Sequence, residues 1–402
     1  MMKRLLILGA ASDQVPLIIS AKEEGYYVVV CDNTTTNPGL TMVDKHYQVS
    51  YMDKKEVLVV AKGEHIDGVI SNSEPAMPVV AYISEELGLI GNKVCSIETL
   101  ADKSKFRCLQ KQLNLYTPKH VIVSSPDDAV AEISKMQLPV LVKACECSAT
   151  RGTFKITEFD AEDIKSKYLE SESFSWNKTV AIEEFIEMPS LTTYEGDVFI
   201  NGDEFLWDGL FYTQRSPEAP MIPMTYSGPL DFHDKHIPKI KEVLSKIFIE
   251  AGIRHGQYNI ELYFAKNGEP FVIEVNTRQG GRSLPKFIKQ YCGVDFTKLL
   301  VTTAVGENKF FDQAKTLPRT YHYISHHLLF GHTDGIYVGF KVASELKDKI
   351  IYSNESRAKG ELVRKTVNGT DNLGCVDFEF TSKQERDRYA FDIESFVKVL
   401  IS

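Results

Sequence analysis

Two acids and two amides in one short stretch carry the clearest chemistry of this chain. Residues Tyr258–Asn276 read as a hairpin around Asn267-Gly268, because a type I′ turn needs positive φ at both loop positions and Asn-Gly supplies it. A two-residue loop there sets Glu261 opposite Glu274 and Asn259 opposite Asn276, at the non-hydrogen-bonded pairs where side chains approach most closely. Alternation by two puts all four on one face, with Ile260, Leu262, Ile273 and Val275 on the other. Opposed carboxylates repel each other. A divalent cation removes that penalty, and carboxylate plus amide oxygens with phosphate are ligands of the Mg²⁺ type. A solvated sheet face carrying a pair of acids is the plainer alternative. Arg278, two residues past Asn276, favours a phosphate site, since it sets a fork-shaped cation beside the proposed ligands.

These residues resemble the signature of the ATP-grasp ligases, a first Glu followed by a strand Ile-Glu-x-Asn-x-Arg. Here they are Glu261 and Ile273-Glu274-Val275-Asn276-Thr277-Arg278. The resemblance implies ATP as the nucleotide, Glu261, Glu274 and Asn276 as holders of Mg²⁺ on its phosphates with Mn²⁺ as a substitute, and Arg278 facing the transferred phosphoryl group. In general style the chain is similar to carbamoyl phosphate synthetase-like and glycinamide ribonucleotide synthetase-like members.

Other residues fall in the order this family would require. Lys143 closes the apolar run Pro139–Lys143 and precedes the small-residue loop Ala144–Gly152. A lysine in that position alone reads as a snorkelling cation, but such a loop can turn several backbone N–H groups toward phosphate. The resemblance implies that Lys143 contacts the α-phosphate under a flexible loop. The family's loop is rich in glycine, whereas only Gly152 remains here, so Ser148, Thr150 and Arg151 become the alternative donors. Lys103, a solvated helix charge by itself, matches the second ATP-contacting lysine, with Lys105 and Arg107 as weaker alternatives. Glu183-Glu184-Phe185-Ile186 resembles the hinge that receives adenine through backbone groups. Ser190 stands where a ribose-binding Glu is usual, with Glu187 as a substitute. Arg282, after Gly280-Gly281, and Glu74, in Asn72-Ser73-Glu74, are the candidate substrate contacts. Arg215 reads as a surface partner of some acid more readily than as a cleft residue. His322, His326 and His327 suggest a metal, but alternation splits the last two between faces and no acid or cysteine stands near with zinc spacing.

Strands must position these groups. Residues 4–8, Tyr27–Cys31 and Val69–Ser71 read as strands, and Val79–Leu87 as a helix between strand segments, which implies a parallel doubly wound sheet. Asp32 imitates the acid of a dinucleotide fold, but Gly9-Ala10-Ala11-Ser12-Asp13 lacks the G-x-G-x-x-G spacing. Further elements are expected at Asp127–Met136, Thr179–Ile186, Tyr194–Ile200, Lys239–Ala251, Tyr321–Leu329 and a closing helix Gln384–Ile401. The expected fold class is α/β with an α+β core. The resemblance implies a Rossmann-like preATP-grasp domain over residues 1–100, the two-lobed ATP-grasp core over 101–305 and a small C-terminal domain over 306–402.

Composition bounds the partners. At 402 residues, 43% hydrophobic and 25% charged, the chain has the balance of a globular protein of more than one domain. A formal charge of −9 argues against binding nucleic acid or an anionic membrane through a basic surface. Seven scattered cysteines without C-x-x-C fit reduced thiols in the cytoplasm, and no apolar run is long enough to span a bilayer. The resemblance implies an ADP-forming ligase that joins a small-molecule carboxylate to an amine through an acyl phosphate, and it is compatible with a homodimer. Ligation to a thiol, carboxylation, and a regulatory ATP binder without turnover are the rivals.

Overall fold

The computed structural model describes residues 2–145, 152–175, 177–216, 222–231, 233–281, 284–367 and 371–402. Its first sheet is parallel, with strands β1 (Arg4–Leu8), β2 (Tyr27–Cys31), β3 (Lys45–Tyr47) and β4 (Gly68–Ile70) in the order β3-β2-β1-β4. Leu5–Leu8 and Val28–Cys31 are wholly buried, as a parallel strand covered on both faces requires. Asp32 does not wait for a dinucleotide. Its carboxylate accepts from Ala10 N at 2.8 Å, Thr34 N at 2.9 Å and Asn37 Nδ2 at 2.7 Å, tying the loop after β1 to the loop after β2.

A second, antiparallel sheet contains β5 (His120–Val123), β6 (Val140–Ala144), β7 (Thr153–Ile156) and β8 (Val180–Glu184) in the order β5-β8-β6-β7. The third sheet starts with β9 (Thr192–Asn201), β10 (Glu204–Arg215) and β11 (Pro223–Gly228). It continues through β12 (His255–Phe264), β13 (Pro270–Asn276) and β14 (Tyr323–Leu329). In the last region come β15 (Gly335–Val342), β16 (Ile350–Glu355), β17 (Leu362–Val363), β18 (Gly374–Phe380) and β19 (Val397–Ile401). The eight-stranded order is β13-β12-β9-β10-β11-β14-β18-β16, with β17-β15-β19 as a small separate sheet. Strands from the last hundred residues therefore extend the same sheet that carries the hairpin.

The closing segment departs from expectation. A helix covers only Lys383–Ala390, and Val397–Ile401 pairs with β15 as a strand. The β-branched Val-x-Val-x-Ile alternation suits a pleated surface better than a helix.

The hairpin reaches the expected pairing by a different route. Glu261 lies opposite Glu274 and Asn259 opposite Asn276. Only Gly268 of the loop has positive φ, at 79°, and Ala265 N donates to Glu269 O at 2.9 Å. The turn is thus one residue longer than a type I′ loop. A bulge between Glu261 and Leu262 compensates, because Leu262 pairs with Val272 and leaves Ile273 as the extra residue. Val272 takes the core position expected of Ile273, which packs instead with Ile186, Tyr263 and Phe271.

Candidate functional site

The cleft between the second sheet and the hairpin gathers most of the residues singled out above. Lys103, Lys143, Glu183, Glu184, Phe185, Ile186, Glu261 and Glu274 all line it. Lys143 arrives on the buried run of β6, and Glu183 and Glu184 end β8. Lys103 is the first residue of the helix Lys103–Gln112, whose N-terminal donors Ser104 N and Lys105 N are capped by the Asp102 carboxylate at 2.8 and 3.1 Å. The helix start therefore fixes where that lysine enters. Tyr263, Met188, Phe271 and Ile273 add an apolar wall. Tyr263 also donates from its hydroxyl to the Ile186 carbonyl at 2.7 Å, holding the backbone that follows β8. The bulge brings Ile273 to this wall, which strict alternation could not foresee.

At the acidic end, Asn276 Nδ2 donates to Glu274 Oε1 at 3.0 Å and to Asn259 Oδ1 at 3.3 Å. With the amide nitrogen so engaged, its oxygen is the atom suited to a cation. Burial pushes the Glu261 carboxyl up and Glu274 pushes it further, while Arg215 opposes both. This donor set, two carboxylates and an amide oxygen held together at an electrostatic penalty, fits a Mg²⁺-type ion. Arg215 is a cleft residue, contrary to the surface role expected of it. It is 3% exposed, holds Glu195 at 2.8 Å and also contacts Glu261. Its signal was faint: Asn201-Gly202 announces the turn into this strand, but nothing marks the arginine at the strand's far end as facing the cleft.

Arg278 lies outside the cleft lining, on the side toward the first sheet, where it meets Glu74 at 3.1 Å. The structure thus joins these two predicted residues to each other. Ser73 does not cap the turn that starts at Glu74, since it makes no side-chain cap bond. Asp197 positions the Arg278 loop. Its oxygens accept from Gly280 N at 3.0 Å, Asn259 Nδ2 at 2.9 Å and Gln257 Nε2 at 2.6 Å. Burial still pushes its carboxyl up. A Cβ on Gly280 would lie 2.6 Å from Leu284 Cδ1 and 3.0 Å from Asp197 Oδ1, so a larger residue must displace the leucine tip and press on the carboxylate. Glu195-Gly196-Asp197-Val198 resembles the family strand that follows the hinge, but the partners that give Asp197 this task come from β12 and from the loop after β13, which the local sequence does not show.

Some expectations find no place in the cleft. Gly152 turns its carbonyl to Ala144 N at 2.9 Å and Ser171 Oγ at 3.0 Å, and its neighbour Thr153 lines the cleft instead. Ser148, Thr150, Arg151 and Arg282 lie outside the described residues. Ser190 accepts from Thr192 N at 3.1 Å as a local turn contact. Arg107, the weaker alternative to Lys103, is buried beneath the cleft and paired with Glu183. The histidine reading also needs correction. His326 has an acid beside it, because the β14–β18 register sets Asp377 opposite it with Nδ1 and Oδ1 2.6 Å apart, and Cys375 stands close by. A separation of 51 residues hid the pair. Among the described residues, no helix is long and apolar enough to cross a membrane.

The chain is similar to several known proteins. Residues 5–95 match the PylC-like N-terminal domain family. The carbamoyl phosphate synthase large chain of Archaeoglobus fulgidus is 24% identical over 327 residues, covering 76% of this chain and 29% of that protein. Alanine–anticapsin ligase of Bacillus subtilis is 23% identical over 262 residues, covering 61% of this chain and 56% of that protein. This chain therefore spans well under two thirds of these curated relatives. The crystal structure of L-amino acid ligase from Bacillus licheniformis superposes with a TM-score of 0.76 at 19% identity, covering 100% of this chain and 99% of that one.

Proposed function

We propose, from a chain that has the ATP-grasp fold, an ATP-dependent ligase that joins a carboxylate to an amine through an acyl phosphate. The observation that carries this reading is the Glu261–Glu274 pair, with Asn276 beside it, at the end of a cleft that also holds Lys103 and Lys143. In this reading the hinge backbone at Glu184–Ile186 and the apolar wall of Tyr263 and Met188 hold adenine. Lys103 and Lys143 bind phosphate oxygens. Glu261, Glu274 and Asn276 would hold Mg²⁺, which supplies charge neutralisation along the phosphates. Mn²⁺ suits the same oxygen donors.

Arg278 is assigned to the side facing the acceptor. On substrate binding, its guanidinium leaves Glu74 for the acceptor carboxylate and the incoming phosphoryl group. A carboxylate oxygen attacks the γ-phosphorus in line, the bond to the β-bridging oxygen breaks, and ADP departs. The amine then attacks the acyl carbon and phosphate leaves. No serine or cysteine nucleophile is required, so positioned charge does the catalytic work. Residues 1–100 contribute the acceptor side through Glu74, 101–305 hold the nucleotide, and 306–402 complete the sheet. The names of the alanine–anticapsin and L-amino acid ligases favour an amino acid as one substrate. A homodimer would cover Ile336 and Leu362, which face solvent from paired positions on β15 and β17; light scattering checks this.

The test screens amino acids and other carboxylates with Mg-ATP. A productive carboxylate without amine should yield ADP, and hydroxylamine should trap a hydroxamate in matching amount. AMP and pyrophosphate in place of ADP would sink the acyl-phosphate mechanism.

A further inference from the structure

Arg107 does not itself line the cleft, yet it is wired to both ends of it. At 1% exposure it directs Nε to Glu183 Oε1 at 3.0 Å and Nη2 to Glu183 Oε2 at 3.5 Å. Nη2 also donates to the Ile273 carbonyl at 2.9 Å, and Nη1 to Gln110 Oε1 at 2.8 Å and the Val272 carbonyl at 3.4 Å. Gln110 Nε2 reaches Val272 O at 2.9 Å. These two carbonyls belong to the bulge that sets Glu274 opposite Glu261. A bulge takes backbone groups out of the ladder, and here one helix supplies the replacement donors.

The other end of the wire is electrostatic. Glu183 is also 1% exposed and accepts from Lys143 Nζ at 2.7 Å. A carboxylate so buried needs a counter-charge to stay ionised. With Lys143 as the sole counter-ion, every movement of that ammonium toward a phosphate would strand a buried charge. With the arginine fork in place, Glu183 stays neutralised whichever way Lys143 turns.

We propose that Arg107 is a positioning residue, the standing counter-ion of Glu183, which frees the Lys143 ammonium for the nucleotide's phosphate while holding the backbone that aims Glu274. The inference rests on the nucleotide reading above. The balance of charge agrees with it. Burial pushes the Glu183 carboxyl up, but Arg107 and then Lys143 hold it below the usual carboxylate range, and burial pushes the Lys143 ammonium down.

The test is Mg-ADP affinity by calorimetry on the full chain as wild type, Arg107→Met, Arg107→Lys, Glu183→Gln and the double variant Arg107→Met/Glu183→Gln. Arg107→Met should weaken binding by at least about tenfold, because Lys143 is then held by an otherwise unpaired acid. Arg107→Lys should recover part of that loss, since it restores charge without the fork. The double variant should return to within about threefold of wild type, as expected when the acid itself causes the defect. Melting temperatures are read in parallel. If Arg107→Met does not fold, Arg107→Lys with and without Glu183→Gln gives the same contrast. A double variant no better than Arg107→Met would overturn the counter-ion role, and so would unchanged affinity in Arg107→Met. A wild type that binds no Mg-ADP would instead remove the nucleotide reading itself, an outcome read from the parent alone, whereas failure of the counter-ion role appears only as altered ratios among variants of a parent that binds.

Discussion

At the scale of single residues, the acidic end of the cleft is an arrangement of charge that a bound cation would complete. Glu261 is pushed up by burial and by Glu274, while Arg215 and, more weakly, Lys143 pull it back. Removing one acid should therefore relieve the ligand-free protein. Glu274→Gln is expected to melt no lower than the parent in the absence of metal, to gain less stability from Mg-ATP, and to lose at least about a hundredfold in turnover. Calorimetric melting with and without Mg-ATP, together with ADP release, measures both halves. Full turnover in this variant would remove the metal assignment. Gly280→Ala acts through the neighbouring contact. Its Cβ would press on Leu284 and on the Asp197 carboxylate, so a loss of about 1–3 kcal/mol of stability is expected. Turnover should drop as the Arg278 loop moves. Denaturant unfolding and steady-state rates check the pair; a variant of parental stability and rate would mean that the loop is held elsewhere.

At the scale of elements, the hairpin separates two turn geometries that place Glu261 and Glu274 identically. A type I′ loop needs positive φ at both Asn267 and Gly268, whereas here only Gly268 has it. A Cβ on Gly268 meets nothing within 4 Å, so Gly268→Ala suffers only backbone strain, about 1 kcal/mol. Asn267→Ala should lose less, namely the bond from Glu269 N to Asn267 Oδ1 at 3.1 Å. Urea midpoints of the two variants decide it, and equal losses would favour the I′ turn. The same hairpin shows what a sequence can reveal. The Asn-Gly signal and the acid spacing led to the correct facing of Glu261 and Glu274, because two departures, a longer loop and a bulge, offset each other. Ile273 was misplaced because alternation carries no record of a bulge. Three strands of the first sheet were readable since they are buried apolar runs, whereas β3, Lys-His-Tyr and half-exposed, carries no such signal. Helix Gln384–Ile401 was misread because a short helix and a β-branched strand follow each other without a glycine or proline between them. Asp197, Arg215 and the His326–Asp377 pair depended on strand partners far along the chain, which only the register of the eight-stranded sheet brings together.

At the scale of the whole molecule, two buried histidines join parts of the chain that local motifs do not connect. His255, at the start of β12, has Nε2 2.8 Å from Thr303 Oγ1 on the helix Phe296–Ala304. That helix also packs against the first sheet, where a Cβ on Gly68 would lie 2.4 Å from Ala304 O. His327, on β14, has Nδ1 2.9 Å from Thr225 Oγ1 on β11. Burial pushes His255 down to about 4 and, with smaller help from His326 and His332, His327 down to about 3. Both folded values lie below the unfolded value near 6.5. The unfolded chain therefore binds protons first on acidification. The stability these neutral rings represent is complete above about pH 6.5 and is lost as the pH falls toward the folded values, by about 1.4 kcal/mol per pH unit for each ring. Carboxylates such as Glu64, held at about 2 by Lys45 and Tyr47, enter only below an unfolded value near about 4.3. Glu261 works in the opposite sense, so absolute slopes mix several groups, and the difference between two proteins is the better measure. Unfolding free energies of the parent and His327→Gln, followed from about pH 7.5 to 5, should diverge below about 6.5, with the variant falling less steeply by one ring's share. Parallel curves through that window would mean that His327 is protonated in the folded protein and that the β11–β14 seam tolerates its charge.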